Sequence, residues 1–234
     1  MSSNTNYQEN ITSKNAYESY EDFLERLDNL LEQAAWQDFQ IFKNEVNTPD
    51  PIQGRTLFMI FANNGWDMHL EDLKNLGAEV NVTDDSGENA MHLAARKGNS
   101  KVINQLIKLK ANIDSKAEAA NGNTPLFLAV TYGYIEIAKI LRDNGAKINI
   151  QNNDGDTALM YLIRNAERNK ITVDTIKNII TELKPDVTIT NKVNKTALDI
   201  AKERGWSHKE GYKSLMVLLK GASLGYSKVG SNVI

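Results

Sequence analysis

Three histidines, His69, His92 and His208, are the residues of this sequence best suited to metal binding or proton transfer near neutral pH. They fall in different segments, and the sequence has no H-E-x-x-H pair that would place two of them on one helix face. A phosphate-binding G-x-x-x-x-G-K-S/T loop and a G-x-S-x-G nucleophile motif are also absent. These patterns predict no catalytic residue, no bound metal and no cofactor, and we expect the chain not to be an enzyme.

Acidic residues in close sequence pairs are the second candidate for chemistry, since two carboxylates serve acid–base catalysis or bind calcium. Asp84 precedes Asp85, and Asp154 lies two residues before Asp156. The twelve-residue calcium-loop pattern is absent, and Asp favours turns because its side chain accepts a hydrogen bond from the backbone two residues on. We therefore interpret both pairs as turn residues.

Composition narrows the function classes further. The 234 residues carry a formal net charge of −3 and no cysteine; the lack of cysteine excludes disulfides and thiolate metal sites and is typical of a reducing compartment. Lys and Arg form no cluster, so we expect no nucleic-acid partner. The apolar runs are only a few residues long, so we expect no membrane insertion, and the first residues show no charged-then-apolar leader.

An internal repeat supplies the elements that position these residues. Five segments share a pattern in which Gly or Asn is followed, two residues later, by Thr or Asn and then by apolar residues at helical spacing. The segments start 33, 35, 33 and 39 residues apart, at Gly54, Gly87, Gly122, Gly155 and Asn194.

Each segment predicts a tight turn followed by a pair of helices, because Gly or Asn adopts the positive φ that such a turn needs. The predicted N-caps of the first helices are Thr56, Asn89, Thr124, Thr157 and Thr196. The predicted turns after these helices lie at Gly65, Gly98, Gly133 and Gly205. A second apolar helix follows each time, and since one helical pair cannot bury both of its apolar faces, the units must stack.

The segments resemble ankyrin repeats. The stretches N-T-P-L-F-L-A-V at 123–130, N-A-M-H-L-A-A at 89–95 and L-G-A-E-V-N at 76–81 are similar to the T-P-L-H-x-A-A and G-A-d-V-N signatures of that family. The resemblance spans about Leu30 to Ala222 and implies an all-α ankyrin-repeat solenoid of stacked helix-turn-helix units with short β-hairpin loops. It also implies that His92 hydrogen-bonds neighbouring backbone.

The repeat pattern predicts the organisation of the whole chain. We expect a disordered tail at 1–15, an N-terminal helical capping repeat at 16–50, and a flexible tail at 223–234. The five repeats are predicted at 51–83, 84–118, 119–151, 152–190 and 191–222. The capping repeat has an acidic outer side, which suits the end of a stack in water; the alternative is that its acidic helix itself binds a partner.

The fourth repeat carries an insertion between its two helices. The segment N-A-E-R-N-K-I-T at 165–172 replaces the usual Gly turn and adds about six residues. We expect this loop to protrude beside the concave face. An irregular loop on a rigid scaffold is a reasonable place for function, and a tolerated surface insertion is the alternative.

Similarity to ankyrin-repeat proteins implies that a partner contacts the hairpin tips and the ends of the first helices. At the tips, the candidate residues are Arg55, Asp85, Glu88, Asn121, Asn123, Asp154, Asp156 and Lys195. At the ends of the first helices, they are Arg96, Lys97, Thr131, Tyr132 and Arg164. Tyr132, Arg96 and Arg164 are the preferred anchors, because aromatic and Arg side chains dominate many interfaces.

These observations favour a cytoplasmic, monomeric protein–protein interaction module that acts as an adaptor or an inhibitor. The Asn-, Lys- and Ile-rich composition also resembles ankyrin proteins that bacteria deliver into the host cytosol. The rival hypothesis is an enzyme or small-ligand binder that uses an unrecognised site near the 165–172 loop. A third hypothesis is a self-associating structural spacer.

Overall fold

A computed structural model describes residues 46–50 and 52–229 of the chain. The predicted tail at 1–15 and nearly all of the predicted capping repeat at 16–50 lie outside the described residues, as do the last five residues. The account below therefore concerns the repeats.

The described residues form ten α-helices and no β-strand. In chain order the helices are α1 (Leu57–Asn64), α2 (Leu70–Asn75), α3 (Ala90–Lys97), α4 (Ser100–Lys108), α5 (Pro125–Thr131), α6 (Ile135–Asp143), α7 (Ala158–Asn165), α8 (Val173–Leu183), α9 (Ala197–Glu203) and α10 (Lys213–Val229). Odd-numbered helices are the first helices of the five repeats, and even-numbered helices are the second. Short 3₁₀ turns lie at Asp67–His69, Glu118–Ala120, Trp206–His208 and Glu210–Tyr212.

The predicted N-caps are confirmed in four of the five repeats. The Asn89 side chain accepts hydrogen bonds from two amides of the first turn of α3, and Thr124, Thr157 and Thr196 each accept one from the third residue of their helices. Thr56 is the exception and a correction. Its hydroxyl makes no capping hydrogen bond and has no hydrogen-bond partner among the described residues.

From one repeat to the next, first helices pack on first helices and second helices pack on second helices. The first helices contact in the order α1, α3, α5, α7 and α9, and the second helices contact in the order α2, α4, α6, α8 and α10. Leu126 of α5 is only 1% exposed, and Ile140 of α6 packs against the common core. Each repeat thus buries the apolar faces of its neighbours, and the prediction of an all-α solenoid is confirmed.

The loops between repeats are closed by hydrogen bonds without forming strands in the described part of the chain. In three of them the first residue of the tip donates its N–H to a carbonyl four residues on, as in Asp84 to Glu88 at 2.8 Å and Asn152 to Asp156 at 2.9 Å. The one β-bridge among the described residues joins Ala117 and Asn123. The tips therefore turn back like hairpins, but the paired segments in the described residues are too short to count as β-strands.

The first part of the predicted tail at 223–234 lies within the described residues. It belongs to α10, which continues to Val229. This stretch contains no proline, and a glycine within a helix costs only about 1 kcal/mol relative to alanine. Gly221 and Gly225 are therefore too weak to end the helix.

Candidate partner-binding face

A buried Asp or Asn side chain organises three of the hairpin tips. The Oδ1 atoms of Asp84, Asn152 and Asn191 each accept hydrogen bonds from the backbone N–H groups two and four residues later, at 2.9 to 3.1 Å. At the start of the first repeat, Asp50 accepts hydrogen bonds from the N–H groups of Ile52 and Gln53 through Oδ1 and from that of Arg55 through Oδ2. The tips are consequently fixed by their own side chains and present their outer residues in a defined geometry.

The tip of the third repeat is built differently because its linker carries two extra residues. Ala117 stands where the other tips have Asp or Asn, and a 3₁₀ turn at Glu118–Ala120 fills the added length. Asn121 follows with φ of 66°, and its Nδ2 donates to Asp154 Oδ2 at 2.8 Å. This hydrogen bond joins the third tip to the fourth.

An ion pair links the tip of a repeat to the end of its own first helix, eight residues later, in three repeats. Arg96 Nη2 lies 2.7 Å from Glu88 Oε2, and Arg164 pairs with Asp156. In the fifth repeat the signs are reversed, and Lys195 Nζ lies 2.7 Å from Glu203 Oε1. These pairs tie the two parts of the predicted binding face together.

Two of these carboxylates were predicted to contact a partner, and their positions require a correction. Glu88 is 3% exposed and Asp156 is fully buried. Burial raises the pKa of Glu88 above its ordinary value, and Arg96 opposes that rise. Asp156 also accepts a hydrogen bond from Asn191 Nδ2 at 2.7 Å. Both carboxylates are used inside the molecule to hold arginines in place.

Thr131 requires the same correction. This residue is 3% exposed, and its hydroxyl donates to the carbonyl oxygen of Leu128 at 3.0 Å. Its side chain is therefore committed to the last turn of α5. Arg55 is also held from inside, because its Nε lies 3.1 Å from Oδ2 of the buried Asp84.

The remaining predicted residues lie at or near the surface. Asp85, Lys97, Tyr132 and Asp154 are exposed, whereas Asn121, Asn123 and Lys195 are half-buried. Tyr132 is 47% exposed and stacks with Tyr134, with ring centroids 6.3 Å apart and planes inclined by 14°. This aromatic pair stands at the end of α5, in the middle of the stack.

A cleft of about 310 Å³ opens on this side of the molecule. It is formed by α3, α5 and α7, the third hairpin tip and the loop after α7. Its lining residues are Glu88, Arg96, Ala120, Asn123, Phe127, Leu128, Thr131, Tyr132, Tyr161, Asn165, Arg168 and Asn169. Arg96, Asn123, Tyr132 and the corrected Glu88 and Thr131 are thus brought together, whereas Arg55, Asp85, Lys97, Asn121, Asp154, Asp156, Arg164 and Lys195 do not line it.

The 165–172 insertion forms one rim of the cleft. Asn169 Nδ2 donates to the carbonyl oxygen of Thr131 at 3.3 Å, which joins the loop to the end of α5. On its other side, Glu167 lies 2.8 Å from Arg204 and 3.0 Å from Lys209. Hydrogen bonding to Lys209 and the two positive charges lower the pKa of Glu167. The insertion is therefore held between the third and fifth repeats.

Seven lining residues were not among the predicted binding residues: Ala120, Phe127, Leu128, Tyr161, Asn165, Arg168 and Asn169. Tyr161 packs against Phe127 with ring centroids 5.4 Å apart. Arg168 is exposed and makes no hydrogen bond or ion pair with any residue that the structure describes. The sequence signal for Asn165, Arg168 and Asn169 is the length of the insertion, which does not single out residues within it.

His92 has the structural role that the family resemblance implies. Its Nε2 lies 3.1 Å from the carbonyl oxygen of Asn123, and its Nδ1 lies 3.2 Å from the backbone nitrogen and 2.7 Å from the side-chain Oδ1 of Asn89. Burial is the main cause that lowers the pKa of His92 to about 4. The imidazole is neutral at pH 7 and joins the second repeat to the third.

The other candidates for chemistry do not converge. His69 lies 3.5 Å from the Asp72 carboxylate on its own helical turn. Within residues 46–50 and 52–229, no group of three or more His, Asp or Glu side chains is arranged to hold a metal ion. In the same residues, no helix has both the length and the apolar character that a membrane span requires.

Comparison with known proteins agrees with this architecture. A family model described as "Ankyrin repeats (3 copies)" matches residues 19–117, 58–152 and 113–173. These matches extend over more than half of the sequence. The chain is a member of the ankyrin-repeat family, whose repeats mediate protein–protein interaction.

Several known proteins align with part of this chain, and each alignment covers only part of the other protein. The chain is 31% identical over 154 residues to NF-kappa-B inhibitor zeta of Mus musculus, covering 64% of this chain and 20% of that protein. It is 35% identical over 119 residues to alpha-latrotoxin-Lhe1a of Latrodectus hesperus, covering 50% of this chain and 8% of the toxin. Ankyrin repeat-containing protein P1E11.10 of Schizosaccharomyces pombe is 32% identical over 113 residues, with 48% and 50% covered. The chain thus spans half or less of each of these relatives.

Proposed function

We propose that the chain binds a partner protein through the face formed by its hairpin tips and the ends of its first helices, with the cleft at the centre. The observation that carries the proposal is the cleft itself. Side chains from three consecutive repeats and one insertion line it, and each of these elements is fixed by internal hydrogen bonds or ion pairs. A preformed surface loses little conformational entropy on binding, which favours tight association.

The binding residues are revised from those that sequence alone favours. Arg96 and Arg164 neutralise buried carboxylates, so replacing either one alters stability as well as binding. Tyr132 supports no buried charge and is exposed, and we assign it as the principal anchor. Asp85, Lys97, Asn121, Asp154 and Lys195, at the hairpin tips and the end of a first helix, are candidate contacts outside the cleft.

The same proposal includes the manner of action. Binding by occupation of a partner's surface would make the protein an adaptor or an inhibitor, and the similarity to NF-kappa-B inhibitor zeta supports the inhibitor form. Delivery into a host cytosol as an effector is the further form that the Asn-, Lys- and Ile-rich composition suggests. We propose a cytoplasmic site of action in either case.

Site-specific photo-cross-linking tests the proposal. The photoreactive amino acid p-benzoylphenylalanine is placed at position 132 of the full chain, and cross-linked adducts are recovered from the native cytosol. The matched control carries it at Val217, which is 69% exposed on α10 and does not line the cleft. We expect a discrete protein adduct from position 132 and none from position 217.

Two results would contradict the proposal. One is the absence of any adduct at position 132 when the variant folds normally by circular dichroism. The other is the same set of adducts from both positions, which would place the interaction elsewhere or show it to be non-specific.

A small-ligand function is the second candidate, and the volume of the cleft is the observation in its favour. A volume of about 310 Å³ lies at the lower end of the range for small-molecule sites. A thermal-shift screen of metabolites and metal ions separates the two functions, because a ligand that binds only the folded state raises the melting temperature. A ligand whose effect is lost in Tyr132→Ala would favour this candidate over protein binding.

A further inference from the structure

We infer that the cleft recognises an acidic linear segment of the partner, with an Asp or Glu carboxylate of that segment placed against Arg168. The inference rests on the proposed function and specifies the chemistry of its ligand. It follows from the charges, the hydrogen-bonding groups and the aromatic rings that line the cleft.

The charges of the lining are unbalanced. The charged lining residues are Glu88, Arg96 and Arg168. Glu88 and Arg96 neutralise each other at 2.7 Å, and Glu88 is buried. The guanidinium of Arg168 remains without a counter-charge among the described residues, which gives the cleft one net positive charge in a chain whose formal charge is −3. A carboxylate is the group that a guanidinium pairs with most specifically, through two parallel hydrogen bonds.

The amide side chains of the cleft are prepared to accept hydrogen bonds. Asn165 and Asn169 donate through Nδ2 to the carbonyl oxygens of Tyr161 and Thr131, at 3.0 and 3.3 Å. Their Oδ1 atoms have no partner among the residues that the structure describes. Free acceptor oxygens beside a cation match a peptide, which offers backbone N–H donors next to an acidic side chain.

The rings of Tyr132 and Tyr161 complete the lining. Tyr132 is exposed and Tyr161 is half-buried, so both offer apolar surface that an extended peptide covers. Tyr side chains supply such area at low cost in conformational entropy. A single-stranded nucleic acid also stacks on aromatic rings, but its repeated phosphates need several unpaired cations, and the cleft has one.

A peptide selection tests the inference. The folded full chain is immobilised and used to select from a library of random dodecapeptides, and the bound pool is sequenced. The same selection is made with Arg168→Gln and with the matched control Lys170→Gln, which removes an exposed charge from the same loop outside the cleft. A 20-nucleotide single-stranded DNA of mixed sequence is tested in parallel by fluorescence anisotropy.

We expect the wild-type protein and Lys170→Gln to enrich peptides that contain Asp or Glu at a fixed position. We expect the best of these peptides to bind Arg168→Gln about tenfold more weakly, since a hydrogen bond to a charged group is worth roughly that factor. The inference is overturned if no peptide is enriched, if the enriched peptides lack acidic residues, or if Arg168→Gln binds them unchanged. It is also overturned if the DNA binds with the same dependence on Arg168.

The cross-linking experiment decides the proposed function independently of this peptide selection. A discrete adduct from position 132 in the cross-linking experiment would still show protein binding, by a partner whose contact surface is not an acidic segment. Absence of that adduct together with failure of the peptide selection would remove both.

Discussion

Two buried ionisable side chains set the pH response of the second repeat, and they act in opposite directions. Burial lowers the pKa of His92, so the folded state resists its protonation. Burial raises the pKa of Glu88, so the folded state favours its protonation. As pH falls below neutrality, His92 therefore decreases the free energy of unfolding, whereas Glu88 increases it.

The effect of His92 predicts a specific loss of stability in mild acid. The unfolded imidazole titrates near 6.5 and the folded one near 4, so between these values the unfolded state binds more protons. The expected contribution is a loss of up to about 3 kcal/mol from pH 6.5 to pH 4. Urea unfolding of the wild type and of His92→Gln across this range measures it. Equal pH slopes for the two proteins would show that His92 does not contribute.

The Glu88–Arg96 pair predicts a second effect at the residue scale. Arg96→Met leaves the buried Glu88 carboxylate without its cation, and we expect the free energy of unfolding at pH 7 to fall by about 2 kcal/mol. The double variant Glu88→Gln, Arg96→Met removes both charges and should recover most of that loss. Lys97→Met, one residue away and exposed, is the control. A double variant no more stable than the single one would refute this explanation.

Sequence reasoning located these side chains but not their exposure. Glu88 and Asp156 precede helix N-caps at loop tips, where acidic residues are ordinarily solvated. Each of these carboxylates pairs with an arginine eight residues later in the sequence. The arginine lies next to the carboxylate only when the helix between them has formed. The His92 contact was predictable, because the family resemblance specifies it.

At the scale of the element, the hairpin tips pack on one another through glycines. Gly155 has φ of 76°, and a Cβ built on it would lie 2.7 Å from the backbone nitrogen of Lys192 in the next tip. Gly145, after α6, also has a positive φ of 97°, but a Cβ there would meet nothing within 4 Å. The two positions therefore separate the cost of the backbone conformation from the cost of close approach.

Alanine substitutions at these two glycines form a matched pair. We expect Gly145→Ala to cost about 1 kcal/mol of unfolding free energy, because a left-handed conformation is unfavourable for a residue with a Cβ. Gly155→Ala should cost about 3 kcal/mol, since the methyl group also forces the backbone of Lys192 to move. Chemical denaturation measures both. A Gly155→Ala variant as stable as Gly145→Ala would mean that the tips separate without cost.

The positions of the helices were the most predictable part of this structure. Helix starts at Asn89 and Thr124 followed from cap chemistry and from the apolar spacing after them. The buried roles of Asp84, Asn152 and Asn191 did not follow, because turn preference identifies such residues without showing that one oxygen serves two amides. Thr56, which does not cap its helix, belongs to the first repeat. Most of the sequence before that repeat lies outside the described residues.

At the scale of the whole molecule, stability passes from repeat to repeat only through neighbours. The third repeat connects the two halves through α5, which packs on α3 and α7. Trp66 lies in the first repeat and Trp206 is fully buried in the fifth. These two side chains report on opposite ends of the described stack.

This arrangement predicts that a central cavity uncouples the ends. The sequence contains a third tryptophan, Trp36. In a Trp36→Phe background, a variant that retains only Trp66 and a variant that retains only Trp206 should each unfold in urea with the same midpoint by two probes, tryptophan fluorescence and far-UV circular dichroism. Adding Leu126→Ala, which removes a buried side chain from α5 at a cost of about 2 to 5 kcal/mol, should give the two probes different midpoints. Val217→Ala, on the exposed side of α10, is the control. Coincident midpoints in the Leu126→Ala protein would show that coupling does not depend on the third repeat.

The stack as a whole was predictable from the period of the sequence, whereas the cleft was not. The period defines which helices are neighbours, and neighbours bury each other's apolar faces. The cleft depends on the course of the 165–172 insertion, and therefore on Glu167 meeting Arg204 and Lys209 about 40 residues later. Contacts of that kind join exposed side chains without any periodic signal.

The exposed attachment of this rim has a practical consequence for the isolation of a partner. Dissolved ions screen the attraction of Glu167 for Arg204 and Lys209, and they screen Arg168 as well. A concentrated salt wash therefore weakens the grip on an acidic ligand and loosens the wall that surrounds it. Cell extracts prepared in a buffer of low ionic strength are therefore the appropriate starting material, because washing at high salt would dissociate the partner.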